Sequence, residues 1–298
     1  MTKTQTKSKT PSRRKPDAQP EPPPTVEAVS LPAPALLVSW VYLRSFLNAR
    51  ERIHHRDWVL DSGAYSAMNS GTKIDLQEYT EAAKRMVAED PTLTEVFALD
   101  VIGDWRASLK NCEAMWAAGV PAIPCYHLGE PEDVLRTIAR DYPKIALGGA
   151  VGATGKQKWA EQCFARVWPK RIHGFGFGSR QTILALPWHS VDASNWEIGP
   201  TKYGRWRTFG KMSVRGGKQN LQCEIDWYLS LERLAQHRWR KQMAQLDTLG
   251  PTIRLVHNDS NRMTQATGPT VRLSMAHARM GRPSVRLAWW TGAPSRMN

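Results

Sequence analysis

Short apolar runs alternate along this chain with longer segments whose apolar residues recur at helical spacing. The runs are Ala35-Leu36-Leu37-Val38-Ser39-Trp40, Trp58-Val59-Leu60-Asp61, Val96-Phe97-Ala98-Leu99-Asp100, Pro121-Ala122-Ile123-Pro124-Cys125-Tyr126, Lys144-Ile145-Ala146-Leu147-Gly148-Gly149, Ile172-His173-Gly174-Phe175-Gly176 and Ser190-Val191-Asp192, five of which stop at aspartate or glycine. Runs without polar alternation predict strands covered on both faces. Between them, helices are expected at 43–52, 75–88, 107–118, 131–140, 157–168 and 180–186, with a longer one at about 221–245. Asp75-Leu76-Gln77-Glu78 reads as a capping box and Gly119 as a helix stop.

Strand and helix in this alternation imply right-handed crossovers and a parallel sheet. Residues 31–249 suffice for an α/β fold of the TIM-like (β/α)8 barrel type, in which chemistry sits at the carboxyl ends of the strands. An open doubly wound sheet is the alternative, but no G-x-G-x-x-G follows the first strand.

Charge refines the domain picture. The formal charge is +14, and residues 1–30 hold six Lys/Arg against three Asp/Glu, while residues 250–298 hold seven Arg against Asp259 alone. The ends are therefore the polycation. Residues 1–30, proline-rich with little to bury, are expected to be a disordered basic arm, and residues 250–298 a basic appendage that favours nucleic acid. That appendage repeats one pattern three times, as small strands each with an arginine aimed at phosphate or as a mostly disordered tail: Pro251-Thr252-Ile253-Arg254-Leu255, Pro269-Thr270-Val271-Arg272-Leu273 and Pro283-Ser284-Val285-Arg286-Leu287.

No apolar run reaches the ~20 residues of a membrane span, and no apolar segment follows the charged N-terminus. A cytoplasmic protein without a membrane partner is expected. Cys112, Cys125, Cys163 and Cys223 are widely spaced, so reduced thiols are expected and no metal or cofactor.

An aspartate after a strand commonly caps the next helix. Three of them, Asp61, Asp100 and Asp192, each closing an apolar run, point further, because carboxylates meeting at one barrel mouth can divide the work of nucleophile, acid/base and substrate reader.

Asp61-Ser62-Gly63-Ala64-Tyr65, Ala98-Leu99-Asp100, Ile145-Ala146-Leu147-Gly148-Gly149-Ala150-Val151-Gly152, His173-Gly174-Phe175-Gly176 and Val191-Asp192-Ala193-Ser194-Asn195-Trp196 together resemble the ordered motifs of the tRNA-guanine transglycosylase superfamily. Within it the likeness is to the 7-deazaguanine DNA transglycosylases of phages and bacteria, the DpdA type. The resemblance implies removal of guanine from a polynucleotide and insertion of a free 7-deazaguanine base on the same sugar. It implies Asp192 as nucleophile, Asp61 as proton-transfer residue and Asp100 as reader of the guanine edge.

The chemistry asks for such groups independently. Base exchange with retained configuration is most simply two inversions, which requires a carboxylate bonded to the sugar carbon. Guanine offers N1–H and N2–H, and an ionised aspartate only accepts. Gly63, Gly148 and Gly149 are expected to bring backbone to the purine, and Ser62, Gly174 and Gly176 to leave room for it, with Tyr65 or Phe175 available for stacking. A base in duplex DNA must first leave the stack, so cationic grip on phosphate is expected from Lys202, Arg205 and Arg207, interleaved with Tyr203 and Trp206.

The tRNA enzymes carry a C-x-C-x-x-C-plus-His zinc module after the barrel. Here that region has only Cys223 and His237, which favours DNA over tRNA as partner. The second base-reading position falls nearest Tyr126 or His127. A tRNA-directed enzyme and a catalytically silent nucleic-acid-binding barrel are the alternatives.

Overall fold

The computed structural model describes residues 33–194, 205–208, 211–214, 221–248 and 284–289. The expected arm at 1–30, Lys202 and the first two copies of the Pro-x-Val/Ile-Arg-Leu pattern lie outside these residues.

Strands meet all seven expected apolar runs, although β3 ends at Val96, where the run to Asp100 begins, and β4 begins only at Cys125: β1 (Ala35–Ser39), β2 (Asp57–Asp61), β3 (Leu93–Val96), β4 (Cys125–His127), β5 (Lys144–Gly148), β6 (Arg171–Gly174) and β7 (Ser190–Ala193). Then come an antiparallel pair, β8 (Arg205–Thr208) and β9 (Lys211–Val214), and a last strand, β10 (Ser284–Trp289). Helices α1 (Leu43–Ala49), α2 (Ala64–Ser70), α3 (Leu76–Glu89), α4 (Trp105–Ala117), α5 (Glu132–Asp141), α6 (Lys156–Val167) and α7 (Arg180–Ala185) intervene, and α8 (Leu221–Arg238) and α9 (Arg240–Thr248) follow β9. The result is an α/β fold with an eight-stranded sheet in the order β3-β2-β1-β10-β7-β6-β5-β4, every adjacent pair parallel.

Two differences from the expected plan stand out. Residues 31–249 do not contain all eight strands, because the eighth comes from the segment read as a basic appendage, through its third repeat copy. β10 pairs with β1 on one side and β7 on the other, Arg286 lying opposite Ala35 and Asp192 in register. The physical reason is edge satisfaction: β1 and β7 each otherwise leave a row of unpaired N–H and C=O groups, and one inserted strand satisfies both. The helix expected at 221–245 is two, divided at Trp239.

Side-chain alternation along the strands separates two cores. Leu36 and Val38 of β1, Trp58 and Leu60 of β2, and Ile145 and Leu147 of β5 face the helices and join the larger cluster. Their alternates Leu37, Val59 and Ala146 pack with Phe97, Ile123 and Cys125 in a second one. Each strand thus buries both faces, which is why its sequence shows no polar alternation.

The helix starts follow local chemistry. Asp75 Oδ1 accepts from the Glu78 amide at 2.8 Å, and Asp104 Oδ1 accepts from Arg106 and Ala107 at 3.1 and 3.0 Å. Each carboxylate satisfies amides that the first turn leaves open.

β2 is anchored from below by Asp90. Its Oδ2 meets Arg50 Nη1 at 2.7 Å and the Trp58 indole N–H at 3.0 Å, while Oδ1 accepts from the Thr92 amide at 2.9 Å and hydroxyl at 2.6 Å. Burial alone would raise this carboxyl, but those donors outweigh it and hold Asp90 below the usual carboxylate range. Its contribution is therefore complete above the unfolded carboxylate range and is lost as pH falls through the lower folded value. Asp90→Ala should cost about 2–4 kcal/mol at neutral pH, since it strands the buried Trp58 N–H and Thr92 groups, and much less in acid. Urea melts of both proteins at two pH values check this.

Candidate functional site

The carboxyl ends of the parallel strands gather the acidic tips. Asp61 closes β2 beside Ser39 of β1, Asp192 lies in β7, and Asp100 follows β3 after the loop residues Phe97 to Leu99. Asp61 Oδ2 accepts from the Gly63 amide at 3.1 Å. Its carboxyl is pushed up to about 7, first by burial and then by the charge of Asp100, with Asp192 adding to it. Asp100 and Asp192 therefore both lie within electrostatic reach of Asp61. Asp192 Oδ1 accepts from the Gly176 amide at 2.7 Å, which fixes its orientation.

Gly63 makes the turn after Asp61 with φ +76°, and a Cβ there would stand 2.5 Å from Ser39 Oγ. Both the left-handed backbone and the contact demand glycine. Gly63→Ala is expected to destabilise the chain by about 1–3 kcal/mol and to displace the Asp61 turn. A thermal melt measures the first effect, and loss of activity out of proportion to the melt measures the second.

Asp100 lies against His127. The imidazole is held at both nitrogens: Nε2 is 3.3 Å from Asp100 Oδ2 and Nδ1 is 3.0 Å from Glu130 Oε1, while Glu130 Oε2 accepts from the His127 amide at 3.0 Å. Cys125 would raise the imidazole most were it a thiolate, followed by hydrogen bonds to Asp100 and Glu130. Burial pushes the Cys125 thiol itself up to about 12, so at neutral pH the upward pull on His127 comes from the two carboxyl groups. Burial also raises Asp100, against the opposing pull of His127. Among the described residues, Asp100, Cys125 and His127 bring an oxygen, a sulfur and a nitrogen within 4.8 Å of one another.

A second chain of contacts runs up from the sheet interior toward Asp192. Lys144 Nζ donates to both Glu95 oxygens at 2.8 and 2.7 Å and to Ser190 Oγ at 3.2 Å, and Ser190 Oγ lies 2.8 Å from His173 Nδ1. An ammonium can only donate, so Ser190 Oγ accepts from Lys144. His173 Nε2 faces Asp192 Oδ1 at 3.8 Å.

The expected substrate residues divide. Gly148 and Gly149 lie against His127, where a Cβ would stand 3.0 Å from its Cδ2 and 3.2 Å from its Cβ respectively. Gly176 holds Asp192. Gly174 is placed differently: a Cβ there would meet Trp188 at 2.7 Å and Phe177 at 3.0 Å, so its bareness serves the outer core. Ser62 is buried at the start of α2, its Oγ 3.5 Å from the Ala64 amide. Tyr65 is exposed, whereas Phe175 packs 4.7 Å from Phe97 and 4.6 Å from His173, ring centre to ring centre. Arg205 and Arg207 lie in β8 and Lys202 lies outside the described residues.

No family model, curated protein or solved structure matches this chain. Function is thus argued from the site itself. Ser39, Glu130 and His173 belong to that site and were not singled out from sequence. The signal for His173 was its alternation with Phe175, which puts the two rings on one side, His173 within β6 and Phe175 just after it; Ser39 and Glu130 carried none. No helix among the described residues is long and apolar enough to cross a membrane.

Proposed function

We propose that this chain is a DNA guanine transglycosylase, exchanging guanine in DNA for a 7-deazaguanine base on a closed eight-stranded barrel. The observation that carries the reading is the convergence of Asp61, Asp100 and Asp192 from three parallel strands, close enough that the charges of the other two raise Asp61. Barrel closure is supported by two bonds across the ends of the strand order, Ala98 N–H to Ile123 O and Ile123 N–H to Val96 O, both 2.9 Å, and by the separate inner cluster around Val59 and Phe97.

In this mechanism the Asp192 carboxylate attacks the anomeric carbon. The bond from that carbon to the guanine ring nitrogen breaks, its electron pair stays with the base, and protonated Asp61 supplies the proton. Asp61, now a carboxylate, removes the ring N–H proton of the incoming base, whose nitrogen displaces Asp192 from the sugar. The two inversions retain configuration. A carboxyl near 7 suits both half-reactions, since each needs the opposite protonation state. Gly176 N–H orients the nucleophile, with His173 Nε2 3.8 Å from it, and Asp100 reads the donor edge of guanine.

The test incubates the full chain with duplex DNA or tRNA and labelled 7-cyano-7-deazaguanine, then digests the polymer to nucleosides. Label in DNA nucleosides is the expected result. Label confined to tRNA transfers the reading to a tRNA enzyme, and label in neither, with retained DNA binding, to a catalytically silent barrel.

A further inference from the structure

The Asp100, Cys125 and His127 side chains offer a carboxylate, a sulfur and an imidazole at the carboxyl ends of β3 and β4, which spacing along the sequence does not announce. We propose that these three residues form a binding site for a divalent transition metal of the zinc class, with Glu130 holding the imidazole in place. In a tetrahedral zinc centre with bonds of about 2.0–2.3 Å, ligand atoms stand roughly 3.3–3.8 Å apart. His127 Nε2 and Asp100 Oδ2 are separated by 3.3 Å, and all three donor atoms lie within 4.8 Å of one another.

Three independent features point the same way. Glu130 accepts at His127 Nδ1 and at the His127 amide, so the ring is oriented with Nε2 toward the other two donors, the carboxylate–imidazole arrangement that commonly supports a metal-bound histidine. Gly148 leaves that side clear, since a Cβ there would stand 2.7 Å from Cys125 Sγ and 3.2 Å from His127 Nε2. Asp100 Oδ1 is buried without a hydrogen-bond partner among the described residues. An imidazolium between two carboxylates accounts for His127 but leaves that oxygen without a partner.

The donor set selects the ion. Sulfur and imidazole nitrogen disfavour magnesium and calcium and suit zinc or cobalt. Binding replaces the Cys125 thiol proton and any proton on His127 Nε2, both released to solvent. Three protein ligands leave a fourth position for water or a substrate atom. This inference does not rest on base exchange: metal uptake without exchange leaves it standing, and exchange by a chain that binds no metal removes it alone.

The test uses the full-length protein, stripped with a chelator and titrated with cobalt(II) alone. One cobalt per chain with a sulfur-to-metal charge-transfer band, displaced by equimolar zinc, is expected. Cys125→Ser should abolish the band, Cys223→Ser should leave it unchanged, and Glu130→Gln should weaken binding about 10–100-fold. Circular dichroism monitors folding of each variant. Should Cys125→Ser fail to fold, Glu130→Gln and the wild-type stoichiometry decide. No band in the wild type, a band that survives in folded Cys125→Ser, or cobalt affinity unmoved by Glu130→Gln would overturn the assignment.

Discussion

Asp192→Ala is expected to lower base exchange on the order of 10⁴-fold while the chain stays folded, the scale of losing a covalent nucleophile. The geometry explains the separation of the two effects. Asp192 lies in β7, and its side chain makes one short bond, to the Gly176 amide at 2.7 Å. Removing the carboxylate frees that amide, which costs about 1–2 kcal/mol, a tolerable loss for a chain of this size. The reaction, by contrast, loses the group that holds the sugar between departure of one base and arrival of the next. With duplex DNA and no incoming base, the wild-type chain should accumulate a covalent protein–DNA species on a denaturing gel, and the variant none. Undiminished exchange by Asp192→Ala would remove this residue as nucleophile.

Asp61→Asn should abolish exchange and yet stabilise the fold above neutral pH. The carboxyl is raised from 3.8 to about 7, by burial first, then by Asp100 and Asp192. Below its ordinary value both folded and unfolded chains carry the proton, and the group has no effect on stability. Between the two values the unfolded chain releases a proton that the folded chain keeps, so stability falls as pH rises. Above about 7 the folded chain bears the whole cost of a buried charge among like charges. Asparagine keeps an acceptor for the Gly63 amide and removes that cost. At about pH 8 the variant should be more stable by about 4 kcal/mol, and at about pH 4 close to wild type, given 1.36 kcal/mol per pKa unit. Urea melts across this range measure the difference. A constant difference across the range would mean that Asp61 is not the titrating group.

The opposite behaviour of Asp90 illustrates why both are informative. Asp90 is buried too, but Arg50, Trp58 and Thr92 all stabilise its charge, so acid weakens its contribution. Asp61 has the Gly63 amide and two neighbouring carboxylates. Natural folds retain costs of the second kind where chemistry uses them.

Much of this site was legible in the sequence, for local reasons. A strand buried on both faces must be apolar throughout, so Trp58-Val59-Leu60 announces itself and the aspartate that follows is read as a tip. Gly63 and Gly176 adopt positive φ at tight turns, a demand visible in residue type. Gly174 misled because a bare residue in a strand serves a ligand or a bulky neighbour equally well, and here the neighbour is Trp188. Glu130 gave no signal because a lone acid in a loop acquires meaning only from what faces it. The eighth strand was open to reading as a small strand or as part of a basic tail, and its place depends on the edges of β1 and β7, strands remote from it in the chain.

By itself the sequence determined the alternation of strand and helix, the parallel sheet and the acidic and glycine tips, since these follow from hydrophobic periodicity and turn chemistry within windows of a dozen residues. Only the tertiary structure decided that Asp61 lies within electrostatic reach of Asp100 and Asp192, that Asp100 meets Cys125 and His127, and that β10 enters between β1 and β7. Those are relations among groups far apart along the chain. They govern charge, burial and coordination, which depend on distance in space, and folding alone sets that distance.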